Sequence, residues 1–204
     1  MPKLPDASRR QTLRNLLQAT AVGHLGAPLA ALSQAPAPLV PTPACGAPAK
    51  ETSRQTEGPF FKRDSPMRQS LLEGGVSGVR LVLTGRVLNR ACQPIGNALL
   101  DFWQADSDGR YDGRGNRLRG HQFTEAGGAF RLDTVLPGLY PGRTRHIHVK
   151  VQAPGGRILT TQLYFPGEPG NADDSLYSPA LLVAMQRNPN GHRAGFDFVI
   201  GEVG

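Results

Sequence analysis

The sequence lacks three features that would each indicate a class of protein. No uninterrupted apolar run approaches the roughly 20 residues that a helix needs to cross a bilayer, so we expect no membrane span. No run rich in lysine and arginine alternates with aromatic residues, so the formal charge of +7 does not predict nucleic-acid binding. No convincing internal repeat is present either. One globular domain is therefore the expected organisation of most of the chain.

Helix is also expected to be scarce, because the sequence is rich in residues that interrupt it. It contains 25 glycines and 18 prolines, more than a helix-rich protein would tolerate. Only residues 175–186 have a briefly helical pattern. Short segments that alternate apolar and polar residues between turn signals are typical of strands. We therefore predict an all-β fold, an antiparallel β-sandwich with long loops. The predicted strands lie at 79–88, 97–106, 128–135, 145–153, 157–165 and 194–201.

The first 34 residues have the plan of an export signal. A basic start, a mildly apolar middle and small residues at the end are typical of such signals. Adjacent Arg9 and Arg10 after Ser8, with Leu13 following, resemble the twin-arginine signal of bacteria. We therefore predict an exported, periplasmic protein, with a basic tail that carries a chance arginine pair as the alternative.

Residues 35–54 are rich in proline and alanine and are predicted to be a linker, which places the folded domain at 55–204. Cys45 lies in this linker and Cys92 in a predicted turn. Three arrangements stay open: a lipid-modified Cys45, a disulfide formed in an oxidising compartment, or two independent cysteines. The residues before Cys45 lack the branched apolar residue that a lipidation signal usually has.

Two histidines and two tyrosines suggest a metal site. His146 and His148 alternate with apolar residues in a predicted strand, so their imidazoles share one face, about 7 Å apart at the backbone, and one metal ion can accept both. Solvent-facing histidines would explain the pair equally well. Tyr140 lies in a turn just before this strand and Tyr111 in another loop. Ferric iron is strong enough as a Lewis acid to deprotonate a phenol of pKa about 10, whereas zinc and copper favour histidine and thiolate.

In their context these residues resemble the intradiol ring-cleavage dioxygenases, especially the protocatechuate 3,4-dioxygenase type. The similarity runs from "QTEGPFF" at residue 55 to "FDFVIG" near the C-terminus. Its strongest parts are "TGRVLNRACQPIGNALLDFWQADSDGRY", "LRGHQFTEAGGAFRLDTVLPGLYPGRTRHIHVKV" and "TTQLYFPG". The resemblance implies a β-sandwich enzyme that uses non-haem Fe(III) and O2. It would cleave the ring of a catechol-type substrate between the two hydroxyl-bearing carbons, giving a cis,cis-muconate-type product.

The resemblance also implies roles for individual side chains. Substrate would displace one tyrosine, Tyr140 or Tyr111, which then serves as a base; the sequence does not decide between them, and the precedent of the family favours Tyr140. Arg143 matches an arginine beside the substrate, where it stabilises developing charge; the alternative is a surface arginine or a salt bridge. Gln162 matches a polar residue that supports the site. The residues that match the four iron ligands are Tyr111, Tyr140, His146 and His148.

Some features depart from the family or stay open. The segment between Tyr140 and His146 is shorter than in the protocatechuate enzymes, and the long N-terminal helical segment of the catechol enzymes is absent. The substituent on the catechol and the oligomeric state, including a homo-oligomer, are therefore left open. His121 is expected to be a hydrogen-bonding loop residue, Trp103 part of the core or a pocket wall, and 106–109 a turn.

Two other functions are compatible with the residues alone. A secreted, transthyretin-like binding module without catalysis would explain the strands, the turns and the signal but would leave both tyrosines without a role. A zinc- or copper-binding sandwich would use only the two histidines. Loss of metal on replacing Tyr140 would separate a four-ligand site from this second alternative.

Overall fold

In the computed structural model, the described residues, Cys45 and 49–201, form a sandwich of two β-sheets. This confirms the predicted all-β fold. The predicted export signal at 1–34, most of the predicted linker and residues 202–204 lie outside the described residues. Within the described part of the chain, no helix has both the length and the apolar character needed to cross a membrane.

One sheet is wholly antiparallel and the other is mixed. The first has the strand order β3-β2-β5-β6. The second has the order β4-β1-β8-β7, and its long strand β1 pairs in parallel with β8 and with β9. The strands of the described residues are β1 Arg80–Leu88, β2 Leu99–Trp103, β3 Arg119–Phe123, β4 Ala129–Val135, β5 His146–Gln152, β6 Leu159–Tyr164, β7 Ala184–Gln186, β8 His192–Gly195 and β9 Phe198–Val199.

Five predicted strands coincide with β1, β2, β4, β5 and β6, and three details differ. Strand β3 lies where a loop was expected. The segment predicted to be helical, 175–186, has only a 3₁₀ turn at Pro179–Leu181, followed by β7. The predicted last strand is interrupted between β8 and β9, where the carboxylate of Asp197 accepts hydrogen bonds from the amide of Arg86 at 2.8 Å and from its guanidinium at 3.0 Å.

The core lies between the sheets and is built by alternation. In β5, Ile147, Val149 and Val151 are buried in the core cluster, and they alternate with the side chains that point to the outer face. Burying each such side chain contributes about 1.5–3 kcal/mol. The core therefore fixes the register of β5 and, with it, the direction in which the two histidines point.

The N-terminal part of the described chain is attached to the sandwich. Cys45 and Cys92 form a disulfide, so this is the arrangement present among the three that the sequence left open. Farther along, the amide of Thr52 donates to Val199 O at 2.8 Å and the amide of Gln55 to Thr160 O at 2.8 Å. The C-terminal end of the predicted linker thus packs on the domain and leads towards the outer face of the antiparallel sheet.

Residues 66–71 pair with an edge strand of each sheet. The amide of His121 in β3 donates to Pro66 O at 3.0 Å, and the amide of Arg68 donates to His121 O at 2.8 Å. A few residues later, the amide of Leu71 donates to Asp133 O in β4 at 2.8 Å. This segment therefore covers one edge of both sheets.

Candidate active site

The outer face of the antiparallel sheet carries a buried row of four side chains, one from each strand. The register pairs Trp103 with Arg119 and with His148, and pairs His148 with Gln162. Their exposures are 1%, 2%, 3% and 0% for Trp103, Arg119, His148 and Gln162. Such burial on an outer face needs a cover, and residues 56–61 provide it.

This covering segment, 56–61, crosses the strands and contacts the row along its length. Gly58 lies directly over His148, because a Cβ at this glycine would be 3.5 Å from the imidazole Cε1. The positive φ of Gly58, +69°, also favours glycine there. The other contacts are Thr56 O with Gln162 Nε2 at 3.0 Å, Phe60 O with Arg119 Nη1 at 2.6 Å, and the Phe61 ring with the Trp103 ring at 5.0 Å between centroids.

The two histidines point their Nε2 atoms at a common region. These atoms lie 3.2 Å apart, and a metal that binds two nitrogens at about 2.0–2.1 Å holds them about 3 Å from each other. His146 Nδ1 lies 2.7 Å from Thr144 O, so it donates its proton there and leaves Nε2 as an acceptor. Burial lowers the pKa of His146 to about 4 and the pKa of His148 well below its ordinary value. Both imidazoles are therefore neutral at neutral pH, as a metal ligand must be.

The two tyrosines are brought together by contact between their loops. Gly138 N donates to Asp106 O at 2.7 Å. A Cβ on Gly138 would lie only 2.2 Å from the amide nitrogen of Gly109, so the backbones touch where side chains would separate them. The rings of Tyr111 and Tyr140, which follow these glycines, lie 5.7 Å apart between centroids.

Tyr111 joins the phenols to the histidines. Its hydroxyl lies 3.1 Å from His146 Nε2. Phe60 stacks on the Tyr111 ring at 4.2 Å and 8° and meets the Tyr140 ring edge-on at 5.3 Å. Burial raises the pKa of the Tyr111 phenol, so it stays protonated near neutral pH unless a cation binds its oxygen. The structure therefore brings Tyr111, His146 and His148 together and places Tyr140 beside Tyr111.

Arg143 is held beside this group by three side chains. Its Nε donates to Asp174 Oδ2 at 2.8 Å, and its Nη2 donates to Gln162 Oε1 at 2.7 Å and lies 3.4 Å from the Tyr164 hydroxyl. Burial raises the pKa of Tyr164 to about 12, so this phenol is neutral and donates to Leu176 O at 2.7 Å. Arg143 and Gln162 are thus neighbours.

Several contacts in the site were not expected from the sequence. Phe60, Tyr164 and Asp174 had no assigned role, although Phe60 and Tyr164 lie in the quoted motifs "QTEGPFF" and "TTQLYFPG". Arg119 belonged to a stretch expected to be a loop. It is instead buried in β3 and donates to the carbonyls of Phe60, at 2.6 Å, and Asp112, at 3.0 Å.

Three smaller expectations are met in part or in full. Trp103 is a wall of the site, since its ring stacks on His148 at 4.8 Å and 8°. His121 forms hydrogen bonds, with Nδ1 2.7 Å from Ser65 O, but from strand β3. Residues 106–109 form a turn, in which Gly109 N donates to Asp106 O at 3.0 Å.

Residues 56–200 match the family model Dioxygenase_C, whose description is dioxygenase. The chain belongs to the intradiol ring-cleavage dioxygenase family. This confirms the resemblance seen in the sequence and the predicted enzyme class, and it favours an enzyme over the transthyretin-like binding module.

Related intradiol dioxygenases extend over most of the folded domain. The chain is 30% identical to the protocatechuate 3,4-dioxygenase beta chain of Burkholderia cepacia, over 75% of this chain and 80% of that one. It is also 30% identical to catechol 1,2-dioxygenase 2 of Acinetobacter lwoffii, over 68% of this chain and 62% of that one. The chain therefore spans somewhat less than two thirds of the second relative.

Solved dioxygenase structures share the fold. The dioxygenase domain of a dioxygenase carbohydrate-binding protein fusion from the cellulolytic bacterium Streptomyces sp. SirexAA-E is 56% identical, with a TM-score of 0.73, and is matched over 76% of this chain and 100% of its own. The 3-chlorocatechol 1,2-dioxygenase of Rhodococcus opacus 1CP is 25% identical, with a TM-score of 0.69, over 74% of this chain and 73% of its own.

Proposed function

We propose that this dioxygenase uses non-haem Fe(III) and O2 to cleave a catechol-type substrate between its two hydroxyl-bearing carbons, giving a cis,cis-muconate-type product. The observation that carries the proposal is the convergence of three donor atoms. His146 Nε2 lies 3.1 Å from the Tyr111 hydroxyl and 3.2 Å from His148 Nε2, and the Tyr140 ring adjoins that of Tyr111.

The residues present fit ferric iron better than the common alternatives. Within the described residues, no group of three or more His, Cys, Asp and Glu side chains is placed to hold a metal. A thiolate-rich zinc site and a ferrous site of two histidines and a carboxylate are therefore not built in this part of the chain. Two phenols and two neutral imidazoles form a donor set that suits a hard, strongly Lewis-acidic cation. We assign Tyr111, Tyr140, His146 and His148 as its ligands.

The protein's own groups prepare the site for a catechol. When bound, the ferric ion supplies a Lewis-acid charge that lowers the pKa of the phenols and of the substrate hydroxyls, together with a redox-active centre. Thr144 O fixes the His146 tautomer so that Nε2 is available. The covering segment 56–61, which includes Phe60, limits the access of water to this face of the sheet.

Tyr140 is the phenol that takes a proton from the substrate. Tyr111 is held between the Phe60 stack and His146, at 4.2 Å between ring centroids and 3.1 Å from Nε2. Tyr140 lies in a turn between exposed neighbours, Leu139 and Pro141, and so can move with less disruption. A bound cation would keep this oxygen as the phenolate, which would accept the proton of a substrate hydroxyl.

Arg143 supplies fixed positive charge beside the substrate. Its guanidinium is cationic and planar, and its contacts with Asp174 and Gln162 hold it in place. A preorganised cation stabilises negative charge that develops on a substrate oxygen, and it does so more strongly in a site from which water is excluded.

Spectroscopy and oxygen uptake test this proposal directly. Purified, iron-loaded protein should show a visible tyrosinate-to-iron charge-transfer band and should consume O2 with at least one member of a panel of catechol, protocatechuate, hydroxyquinol and alkyl- or chlorocatechols. A colourless protein with bound iron would contradict the ferric tyrosinate site. A protein that binds no iron would restore the binding-module alternative.

We also propose that the enzyme is exported by the predicted twin-arginine signal at 1–34. The disulfide between Cys45 and Cys92 supports this, because disulfides persist in oxidising compartments such as the periplasm. A reporter fused after residue 34 should reach the periplasm, and replacing Arg9 and Arg10 by lysine should keep it in the cytoplasm. Export that survives both replacements would contradict the twin-arginine route.

A further inference from the structure

We infer that Asp174 is a positioning residue of the proposed reaction, because one carboxylate fixes both Arg143 and the backbone that orients His146. The inference rests on the proposed function and extends it to a residue that touches neither the donor atoms nor the region where substrate would bind. Asp174 follows the 3₁₀ turn at Pro169–Asn171 and is 8% exposed.

The carboxylate makes three hydrogen bonds, which together fix its orientation. Oδ2 accepts from Arg143 Nε at 2.8 Å and from the amide of Thr144 at 2.8 Å. Oδ1 accepts from the amide of Leu176 at 2.9 Å, which ties Asp174 to its own loop. A buried carboxylate with this many donors is held as the anion, so it presents a fixed negative charge to Arg143.

The contact with Arg143 determines where the guanidinium lies. Asp174 binds Nε from one side, while Gln162 in β6 binds Nη2 at 2.7 Å from another. Two contacts from separate parts of the chain fix the plane of the guanidinium. They use Nε and Nη2, and neither of them involves Nη1. Without Asp174, the long side chain would retain only its contacts through Nη2 and could rotate about them.

The contact with Thr144 reaches the metal-binding histidine. Thr144 is 1% exposed, and its amide is bound by Asp174 while its carbonyl accepts from His146 Nδ1 at 2.7 Å. Its hydroxyl also donates to Asn171 Oδ1 at 2.7 Å. The loop that contains Asp174 thus holds the turn before β5 through both the side chain and the backbone of Thr144.

The neighbouring residue offers a matched control. Asp173 is the same residue type in the same loop but is exposed. Asp173→Asn changes the net charge by the same amount as Asp174→Asn and removes none of the contacts above. A difference between the two variants therefore reports the contacts of Asp174 and excludes a general effect of charge.

The experiment compares kcat and KM of the full, iron-loaded chain with a catechol that the wild type cleaves. D174N should lower kcat about 10- to 100-fold, because small displacements of a catalytic group are that costly, whereas D173N should stay near wild type. In a double-mutant cycle, D174N should cost much less in the R143A background than in the wild type, because the two residues act as a unit. The charge-transfer maximum of resting D174N should also shift, since the support of His146 changes.

Each result has a distinct meaning. Wild-type kcat and an unshifted band in D174N would overturn the inference, as would losses that simply multiply in R143A/D174N. An inactive, colourless wild-type protein would contradict the proposed function itself, on which the role of Asp174 depends. Should D174N fail to fold, R143K gives a second test: lysine keeps the charge but lacks the planar guanidinium, whose Nε and Nη2 bind Asp174 and Gln162 in a fixed geometry. R143K should then be as impaired as R143A, and wild-type kinetics in R143K would overturn the inference.

Discussion

The Nε2 atoms of His146 and His148 lie 3.2 Å apart. The two residues are two positions apart in one strand, about 7 Å from each other at the backbone, so their side chains converge. Thr144 O makes His146 Nε2 an acceptor, so this short contact needs either a proton on His148 Nε2 or a cation between the two nitrogens. Their approach is imposed by packing: Trp103 stacks on His148 from β2, and Thr144 O binds the far side of His146.

Replacing His146 by alanine should abolish iron binding, because it removes one of the four proposed ligands and the hydrogen bond that aligns it. We expect metal analysis of purified H146A to show little iron and the visible band to be absent. His192→Ala is the control, since His192 lies in β8 of the other sheet, and it should retain iron. An H146A protein that kept its iron and colour would show that the metal lies elsewhere.

The iron-free protein should lose stability as the pH falls from about 6.5 towards 4. Burial depresses the pKa of His146 from 6.5 to about 4 in the folded state, so between these values the unfolded chain binds the proton and is favoured. Above pH 6.5 both states are neutral and the effect is absent. The loss from His146 amounts to up to about 3 kcal/mol. Urea denaturation between pH 4 and 8 should show a smaller pH dependence in His146→Gln, and equal dependence would contradict this origin.

Phe60→Ala should destabilise the fold and change the colour of the iron-loaded protein. It removes a ring stacked on Tyr111 at 4.2 Å, and such pairs contribute about 0.5–1.5 kcal/mol beyond the apolar area that they bury. We expect a total loss of about 1–3 kcal/mol in urea denaturation. Phe123, which is 44% exposed, supplies the control F123A. Equal losses of unfolding free energy in F60A and F123A would show that Phe60 does not support the site.

Gly138→Ala should separate the two tyrosine loops. The new Cβ would lie 2.2 Å from Gly109 N, and backbone cannot yield as a flexible side chain can. We expect about 1–3 kcal/mol lower stability and weaker iron binding, measured by denaturation and by competition with a chelator. Gly113→Ala meets nothing within 4 Å and should behave as wild type. Unchanged iron affinity in G138A would show that the loop contact does not set the distance between the tyrosines.

Removing the disulfide should lower stability without affecting the site. The bond between Cys45 and Cys92 closes a separation of 47 residues, and a loop of this size is expected to contribute about 2–4 kcal/mol. Urea denaturation of Cys92→Ser, compared with oxidised and with reduced wild type, measures this contribution. C92S should match the reduced wild type and should keep the charge-transfer band; a stability equal to that of the oxidised protein would contradict the prediction.

Strands with a clear alternation of apolar and polar residues could be predicted from the sequence. Strand β5 alternates cleanly, so the shared face of His146 and His148 followed from a period of two. The places of Tyr140 in a turn and of Tyr111 in a loop made them candidate donors, and the family motifs then matched them to ligands. Their proximity depends on glycines far apart in sequence whose backbones touch, and a local pattern carries no signal for such a contact.

Other elements depended on tertiary contacts and were missed for that reason. Strand β3, "RGHQF", has a charged and a glycine residue at its start and acquires its strand structure from pairing with β2 and with residues 66–68. Arg119 is buried because backbone carbonyls of two other segments accept from it. Asp174 lies in a loop rich in acidic and small residues, where nothing distinguishes it from Asp173 until the fold brings Arg143 to it.

The pairing of residues 66–71 with β3 and β4 also protects the protein from edge-to-edge association between molecules. An open edge strand presents unpaired amides and carbonyls to which a strand from another molecule can add. Here one continuous stretch occupies such an edge on both sheets, through His121 and Asp133. Proline in place of Leu71 would remove the amide that donates to Asp133 O and would release this stretch. The edge strands would then have unpaired backbone groups, and we expect the protein to aggregate at high concentration.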